Sequence, residues 1–297
     1  MKIDKHIKWN RIDPIHDRLK AMKVIIIGGT GGIGRALGQY MASCGADITV
    51  VGQTFRDGDI SGIQFIKADL SLMSEAKRVS ELLDAESANL IIFTNGIFAS
   101  PKREETSEGI ERDMAVSYLS RLVIIKEAII RLGKNLTPDA VKPRIFMMGY
   151  PGAGNIGKAD DLNAEKSYKA MDVHLNTVAG NEMLVLDLAK KHKHINFYGL
   201  NPGLLPTNIR SNFMGTNSFK FRLMEWVVSL ISIGTKAYAE RLTPLLISPD
   251  IENYSGTMFN QKGHAILPSS GFIERQHIDE FMRVSNLLVE RALSTKR

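Results

Sequence analysis

The chain is 297 residues long, 44% hydrophobic and 24% charged, the balance of a globular protein with no extended disorder beyond its ends. Its formal charge of +6 comes from scattered Lys and Arg, and the closest cluster, Lys190-Lys191-His192-Lys193-His194, reads as the cationic last turn of a helix; nucleic acid is not an expected partner, whereas an anionic dinucleotide suits the balance. One cysteine, Cys44, excludes an internal disulfide, and the polar N-terminus carries neither a signal-peptide nor a membrane-spanning pattern, so a cytoplasmic location is expected.

Residues 1–22 read as an N-terminal extension. From residue 23 onward, short apolar runs alternate with helical patterns. Lys23 to Ile27 is a β-branched run, followed by glycines and a helical pattern over Arg35 to Cys44. Ile48 to Val51 and Ile63 to Ile66 read as the second and third strands, Leu72 to Leu83 as a helix, and Leu90 to Phe93 as the fourth strand. A long helical segment from about Ser107 to Leu132 carries Met114, Tyr118, Leu122, Ile125 and Ile129 at helical intervals. Strand five is Arg144 to Met148, a helix covers about Met171 to Lys191, and strand six is Ile195 to Gly199. A last strand, Thr257 to Asn260, precedes a helix from about His277 to Leu293. Strands of continuous apolar character separated by helices predict one α/β domain over 23–297, with a parallel sheet covered on both faces. Two loops are long enough to carry function, one over Gly149 to Ser167 and one over Pro202 to about Lys220.

Ile27-Gly28-Gly29-Thr30-Gly31-Gly32-Ile33-Gly34 follows the first strand and opens a helix. Glycines there let the backbone turn sharply and approach a pyrophosphate, which the helix N-terminus attracts. The place of the cluster, after a strand and before a helix, is what turns it from a plain turn into a dinucleotide signal. The spacing of Gly28, Gly32 and Gly34 resembles the short-chain dehydrogenase/reductase family, and other words follow in that family's order. Ala68-Asp69-Leu70 looks like the segment that meets the adenine. Thr94-Asn95-Gly96 stands at the family's Asn-Asn-Ala-Gly. Asn201-Pro202-Gly203-Leu204-Leu205-Pro206-Thr207 resembles the Pro-Gly-x-x-x-Thr element that touches the nicotinamide, and Asp160 to Tyr168 is similar to the retinol-dehydrogenase-like branch.

The resemblance covers about residues 22 to 265. It implies a Rossmann-like, doubly wound parallel sheet of about seven strands with a helical substrate lid over about 203–235. It also implies NAD(H) or NADP(H) as cofactor, bound by Gly28, Thr30, Gly31, Gly32, Ile33, Gly34, Asp69, Leu70, Gly96, Pro202, Gly203 and Thr207. No carboxylate stands at the end of strand two before Asp57. Gln53 can bond a ribose diol and Arg56 can meet a 2′-phosphate, or Arg56 is a solvated loop charge. No metal site is expected.

Standard members of the family work with Asn, Ser, Tyr and Lys. Registering the helix by Leu188-Ala189 and Asn181 puts His174 at the tyrosine, Val178 at the lysine, Tyr150 at the serine and Ser117 at the asparagine, so all four differ. An imidazole titrates near neutral pH and can donate a proton without a lysine's help. The catalytic expectation is therefore His174 as proton donor, with Tyr150 and Ser117 beside it. Tyr168 is a weaker candidate, because Asp172 and not lysine stands four residues on. The implied activity is NAD(P)H-dependent reduction of a small or apolar aldehyde. The rival reading is a cofactor-binding pseudoenzyme or redox sensor without turnover. The 219–233 segment, with Met224, Val227, Val228 and Ile231 on one face, reads as a lid, with peripheral membrane contact or a partner surface as alternatives. Homo-oligomer formation stays open.

Overall fold

The computed structural model describes residues 1–13, 15–137, 141–203 and 234–295. Eight strands form one sheet: β1 Lys23–Ile27, β2 Asp47–Gly52, β3 Ile63–Lys67, β4 Leu90–Phe93, β5 Arg144–Met148, β6 Asn196–Leu200, β7 Met258–Phe259 and β8 Ala265–Ile266. Their order is β3-β2-β1-β4-β5-β6-β7-β8, parallel up to β7, with β8 antiparallel on β7. The order reverses between β1 and β4, so the crevice outside their carboxyl ends is where a sheet of this kind binds ligands.

The runs predicted as strands form the sheet because most of their apolar residues are buried from one side or the other, while the edge strand β3 keeps Gln64 and Lys67 exposed. Along β1, Ile25 and Ile27 face one core and Val24 and Ile26 the other, the alternation that a pleated strand imposes. The first core is closed by helices α3 (Met73–Leu82), α5 (Ser120–Ile129), α6 (Ala170–Lys191) and α8 (Arg275–Ser294). The second is closed by α2 (Gly32–Ser43) and α7 (Thr235–Leu246), joined by Ile15 and Leu19 of the short α1 (Ile15–Leu19). The predicted doubly wound α/β fold is the fold observed.

The long helix expected over 107–132 is a composite. A single turn, α4 (Arg112–Met114), passes into a π-helical turn, Ala115–Leu119, and then into α5. Such turns are rare and concentrate at functional sites. Across from it, Gly180 of α6 lets the Tyr118 ring approach so closely that a Cβ would lie 2.8 Å from it. Tyr118 in turn meets Phe281 of α8 edge-on and shares a 2.9 Å hydrogen bond with Ser285.

Three features go beyond the expected elements. β8 is two residues long, and Ile3 bridges to its Ile266. Residues 1–22 pack on the domain, with the Trp9 indole N–H donating to the Gly263 carbonyl at 2.7 Å. Helix α7 carries Pro244 inside it. Residues 204–233 of the expected lid lie outside the described residues, and with them Thr207 and the 219–233 segment. Among the described residues no helix is long and apolar enough to cross a membrane.

Candidate active site

The glycine-rich turn lies at the carboxyl end of β1, against the end of β4. Gly28 adopts φ +91°, and a Cβ there would lie 2.4 Å from the Asn95 amide nitrogen. A Cβ on Gly34 would meet the Thr94 hydroxyl at 2.3 Å. Both positions need glycine so that the turn and the start of α2 can press onto β4. Gly31 differs: its backbone is extended, it caps α2 with no side-chain hydrogen bond, and a Cβ there would meet nothing within 4 Å. The uncapped first turn thus opens onto free space, which suits the pyrophosphate of a dinucleotide. Ile33 is buried in the core, so only its backbone is available to a ligand. Thr30 packs over Gly52, where a Cβ would lie 2.6 Å from its hydroxyl.

At the end of β2 the nearest carboxylate is already committed. The Arg35 guanidinium bonds Asp57 at 2.6 and 2.9 Å, and Gln39 adds a bond at 2.9 Å. The Arg35 bond, with help from Gln39, holds the Asp57 carboxyl below the usual range despite its burial. Arg56 has no hydrogen-bond or ion-pair partner among the described residues. Gln53 donates to Asp69 at 3.2 Å, which ties the two rim residues together. Burial raises the Asp69 carboxyl, but hydrogen bonds from Ser71 and Gln53 outweigh it, and the group stays below the ordinary range. Leu70 is buried.

From β4 a hydrogen-bond network leads to the second half of the site. Ser117, in the π-helical turn, accepts from the Ile97 amide at 3.0 Å and stands 3.5 Å from where a Cβ on Gly96 would be. Its hydroxyl donates to the fully buried Asp113 at 2.5 Å. The other oxygen of Asp113 meets His174 Nδ1 at 2.9 Å. The His174 ring stacks on Phe98 with centroids 4.0 Å apart, and its side chain keeps 19% exposure. Its Nε2 has no hydrogen-bond partner among the described residues. Beneath this pair lies the buried Arg121 of α5, which donates to the carbonyls of Met148 and Asn95 and to the Asn181 side chain. Arg121 thereby stitches the ends of β4, β5 and α6 together. Burial pulls its guanidinium below the ordinary value, and Asp113 opposes that pull.

The remaining candidates stand differently. Tyr150, on the loop after β5, is 37% exposed, and its hydroxyl has no partner among the described residues; no hydrogen bond joins it to His174. Tyr168 donates to the Ser100 carbonyl at 2.5 Å. Burial, then Glu111, Asp113 and Glu104, push its phenol up to about 12. Val178 is buried and brings no cation. Asn201 donates to the Pro151 carbonyl and accepts from the Gly203 amide, so Pro202 and Gly203 are fixed beside the loop over 149–167. That loop is anchored by the buried Glu182, which accepts from the Gly152 and Ser269 amides and the Ser269 hydroxyl.

The sequence reading passed over Asp113, Arg121 and Phe98. Asp113, Ser117 and Arg121 recur at four-residue intervals among Met114, Ala115, Leu119 and Leu122, a polar stripe on an apolar helix. That stripe was the available signal.

No family model matches the chain. An uncharacterized oxidoreductase of Saccharomyces cerevisiae is 47% identical over 296 residues, spanning 98% of this chain and 96% of the relative. Among solved structures, a short chain dehydrogenase of Salmonella enterica serovar Typhi superposes with a TM-score of 0.60 at 16% identity, over 84% of this chain and all of that one. The Pseudomonas aeruginosa RhlG/NADP active-site complex gives 0.60 at 18%, over 85% and 98%. A relative matched along nearly its whole length, a sheet shared with short-chain dehydrogenases and a glycine turn at the switch point agree: the chain is an oxidoreductase belonging to the short-chain dehydrogenase/reductase family.

Proposed function

We propose that the protein reduces small or apolar aldehydes with NADH or NADPH, His174 donating the proton. The observation that carries the reading is the state of that imidazole. One ring nitrogen is held at 2.9 Å, the other is without a partner among the described residues, and the ring keeps partial exposure. The glycine turn, bare at Gly31, suits the dinucleotide that such chemistry requires. RhlG, which shares the fold, is recorded as an NADP complex. Gly28 to Gly34 would hold the pyrophosphate, and Asp69, Gly96 and Thr207 would lie near the rest. Arg56 would meet a 2′-phosphate, since Asp57 is committed to Arg35 and cannot hold a ribose diol.

The bound nicotinamide supplies the hydride. His174 places Nε2–H against the carbonyl oxygen, so that as the carbonyl π bond breaks, a new C–H bond forms at carbon and the proton passes from Nε2 to oxygen. The alcohol leaves and the imidazole is reprotonated from solvent. Aldehydes suit this donor better than ketones because their greater electrophilicity asks less of it. Tyr150 is proposed as a second phenolic donor. Ser117, committed to Asp113, acts through the network and not on the substrate.

A rival reading, cofactor binding without turnover, draws on Val178, which leaves the site without the family's lysine. One assay separates the two: purified protein, NADH or NADPH, and a panel of short and aromatic aldehydes, with His174→Ala and Tyr150→Phe alongside. Turnover by the wild type and a loss of roughly 10²- to 10⁴-fold in His174→Ala support the reductase. Equal activity in both removes His174 as donor. The 219–233 segment is proposed as a substrate lid, and flotation of the protein with anionic vesicles would show it to be a membrane contact instead.

A further inference from the structure

We infer that Asp113 is the positioning residue of the proton donor: its carboxylate fixes His174 as the Nδ1–H tautomer and presents Nε2 to the cleft. The inference rests on the reading of His174 as proton donor, and adds a residue that no family pattern supplied.

A neutral imidazole carries its proton on one nitrogen, and the bond made by the other nitrogen decides which. A carboxylate only accepts. At 2.9 Å from Nδ1, Asp113 therefore takes a hydrogen bond from Nδ1–H, and Nε2 is left without a partner among the described residues. The carboxylate cannot turn away. Its other oxygen is taken by Ser117, whose own hydroxyl is pinned by the Ile97 amide at 3.0 Å, so the chain from β4 to the imidazole is anchored on backbone. Phe98 fixes the remaining freedom, the plane of the ring, by stacking 4.0 Å from it. Asp113 is fully buried, where an unpaired carboxylate would be costly, and the imidazolium form gives it a counter-charge.

The charged and titratable groups around the pair come from every neighbouring element. Glu111, two residues before Asp113, is pushed up to about 7 by burial first and by the Asp113 charge, against the Met114 amide hydrogen bond and Arg103. Arg121 stands below the pair on α5 and feels the Asp113 charge. Tyr168 precedes α6 and is raised by burial, then by Glu111, Asp113 and Glu104. On α6 itself, Asp172 lies two residues before His174. Among the described residues, Asp113 alone hydrogen-bonds the ring. The purely structural alternative is that Asp113 balances the buried Arg121, whose hydrogen-bond partners are all neutral. In that case removing its charge would cost stability and leave the imidazole's tautomer as it was.

Long-range ¹H–¹⁵N correlation spectra of the full ¹⁵N-labelled chain test this. Of the seven histidines, His174 is assigned by its disappearance in His174→Gln. The wild type is expected to show the Nδ1–H tautomer of the neutral ring at alkaline pH, whereas an unconstrained imidazole favours Nε2–H. Asp113→Asn, whose amide can donate as well as accept, is expected to raise the Nε2–H share of His174. In the reduction assay the same variant should lose roughly 10²-fold or more in kcat, with cofactor affinity unchanged. Ser117→Ala, which frees one oxygen of Asp113, should move both readouts in the same direction by less. An Nε2–H tautomer in the wild type overturns the inference whether or not Asp113→Asn folds, and so does an unchanged tautomer ratio in a folded Asp113→Asn. If the tautomer behaves as expected but no aldehyde is reduced, Asp113 keeps its positioning role and the reductase reading falls.

Discussion

Replacing Gly31 with aspartate should separate cofactor binding from folding. Gly31 caps α2 with φ −157° and ψ 169°, a conformation any residue adopts, and a Cβ there meets nothing within 4 Å. Aspartate at this position can accept from the uncapped first-turn amides, worth about a few tenths of a kcal/mol over glycine. Its charge against the helix dipole adds about 0.3–1 kcal/mol. The fold should therefore be stabilised by about 1 kcal/mol, a rise of about 2 °C in Tm. The same carboxylate would stand where the pyrophosphate lies. One pair of unit charges about 5 Å apart at an effective dielectric near 20 repels by about 3 kcal/mol. That corresponds to a loss of roughly 200-fold in affinity for NADH and NADPH alike. Fluorescence titration with both cofactors, beside a thermal melt, reads the two effects. Gly28→Ala is the contrasting control: at φ +91°, with a Cβ 2.4 Å from the Asn95 nitrogen, it should cost about 2 kcal/mol or more of stability. If Gly31→Asp melts like the wild type or higher and still binds cofactor as tightly, the pyrophosphate does not sit on this turn and the reasoning fails.

Three further outcomes are expected. The Glu111 carboxyl, raised to about 7 by burial, contributes stability that is present below about 4.5 and lost as pH rises through about 7. The shift corresponds to about 3 kcal/mol. Glu111→Gln, which keeps an acceptor for the Met114 amide, should therefore gain relative to wild type between pH 5 and pH 8 in urea unfolding; an unchanged difference between the two pH values contradicts this. Glu182→Ala leaves the Gly152 and Ser269 donors without their acceptor and should cost about 2–4 kcal/mol in the same assay; a loss below 1 kcal/mol would mean that solvent reaches those donors. Tyr118→Phe removes the bond to Ser285 that holds α8 and should cost about 1 kcal/mol, read by urea unfolding with no change in cofactor affinity.

The sheet was legible because β1, β2, β4, β5 and β6 are largely apolar runs buried on both faces, as Val24 to Ile27 illustrates, while the edge strand β3 keeps Gln64 and Lys67 exposed. The glycine turn was legible for a related reason: Gly28 and Gly34 are demanded by a close backbone approach that no other residue permits. β8 has two residues, too few to show any period, and its pairing depends on β7 and on Ile3 far away in the chain. His174 could be placed on its helix from sequence, but its partner could not. Asp113 lies 61 residues earlier, and only the packing of α4 on α6 brings the two together. The π-helical turn carries no sequence mark of its own, because its stability comes from Asn95 donating to the Val116 carbonyl and from Asn181 donating to that of Ser117.

The claim that His174 and the glycine turn together serve hydride transfer is tested most directly by following the hydride. Wild-type protein is incubated with NADH or NADPH carrying deuterium at C4 of the nicotinamide and with each aldehyde of the panel, and the product is examined by mass spectrometry and NMR. The account predicts an alcohol with one deuterium on the former carbonyl carbon, formed in step with cofactor oxidation, and its loss by roughly 10²-fold or more in His174→Ala. Tight cofactor binding with no deuterium in any product would contradict it and leave a protein that holds the dinucleotide without using it.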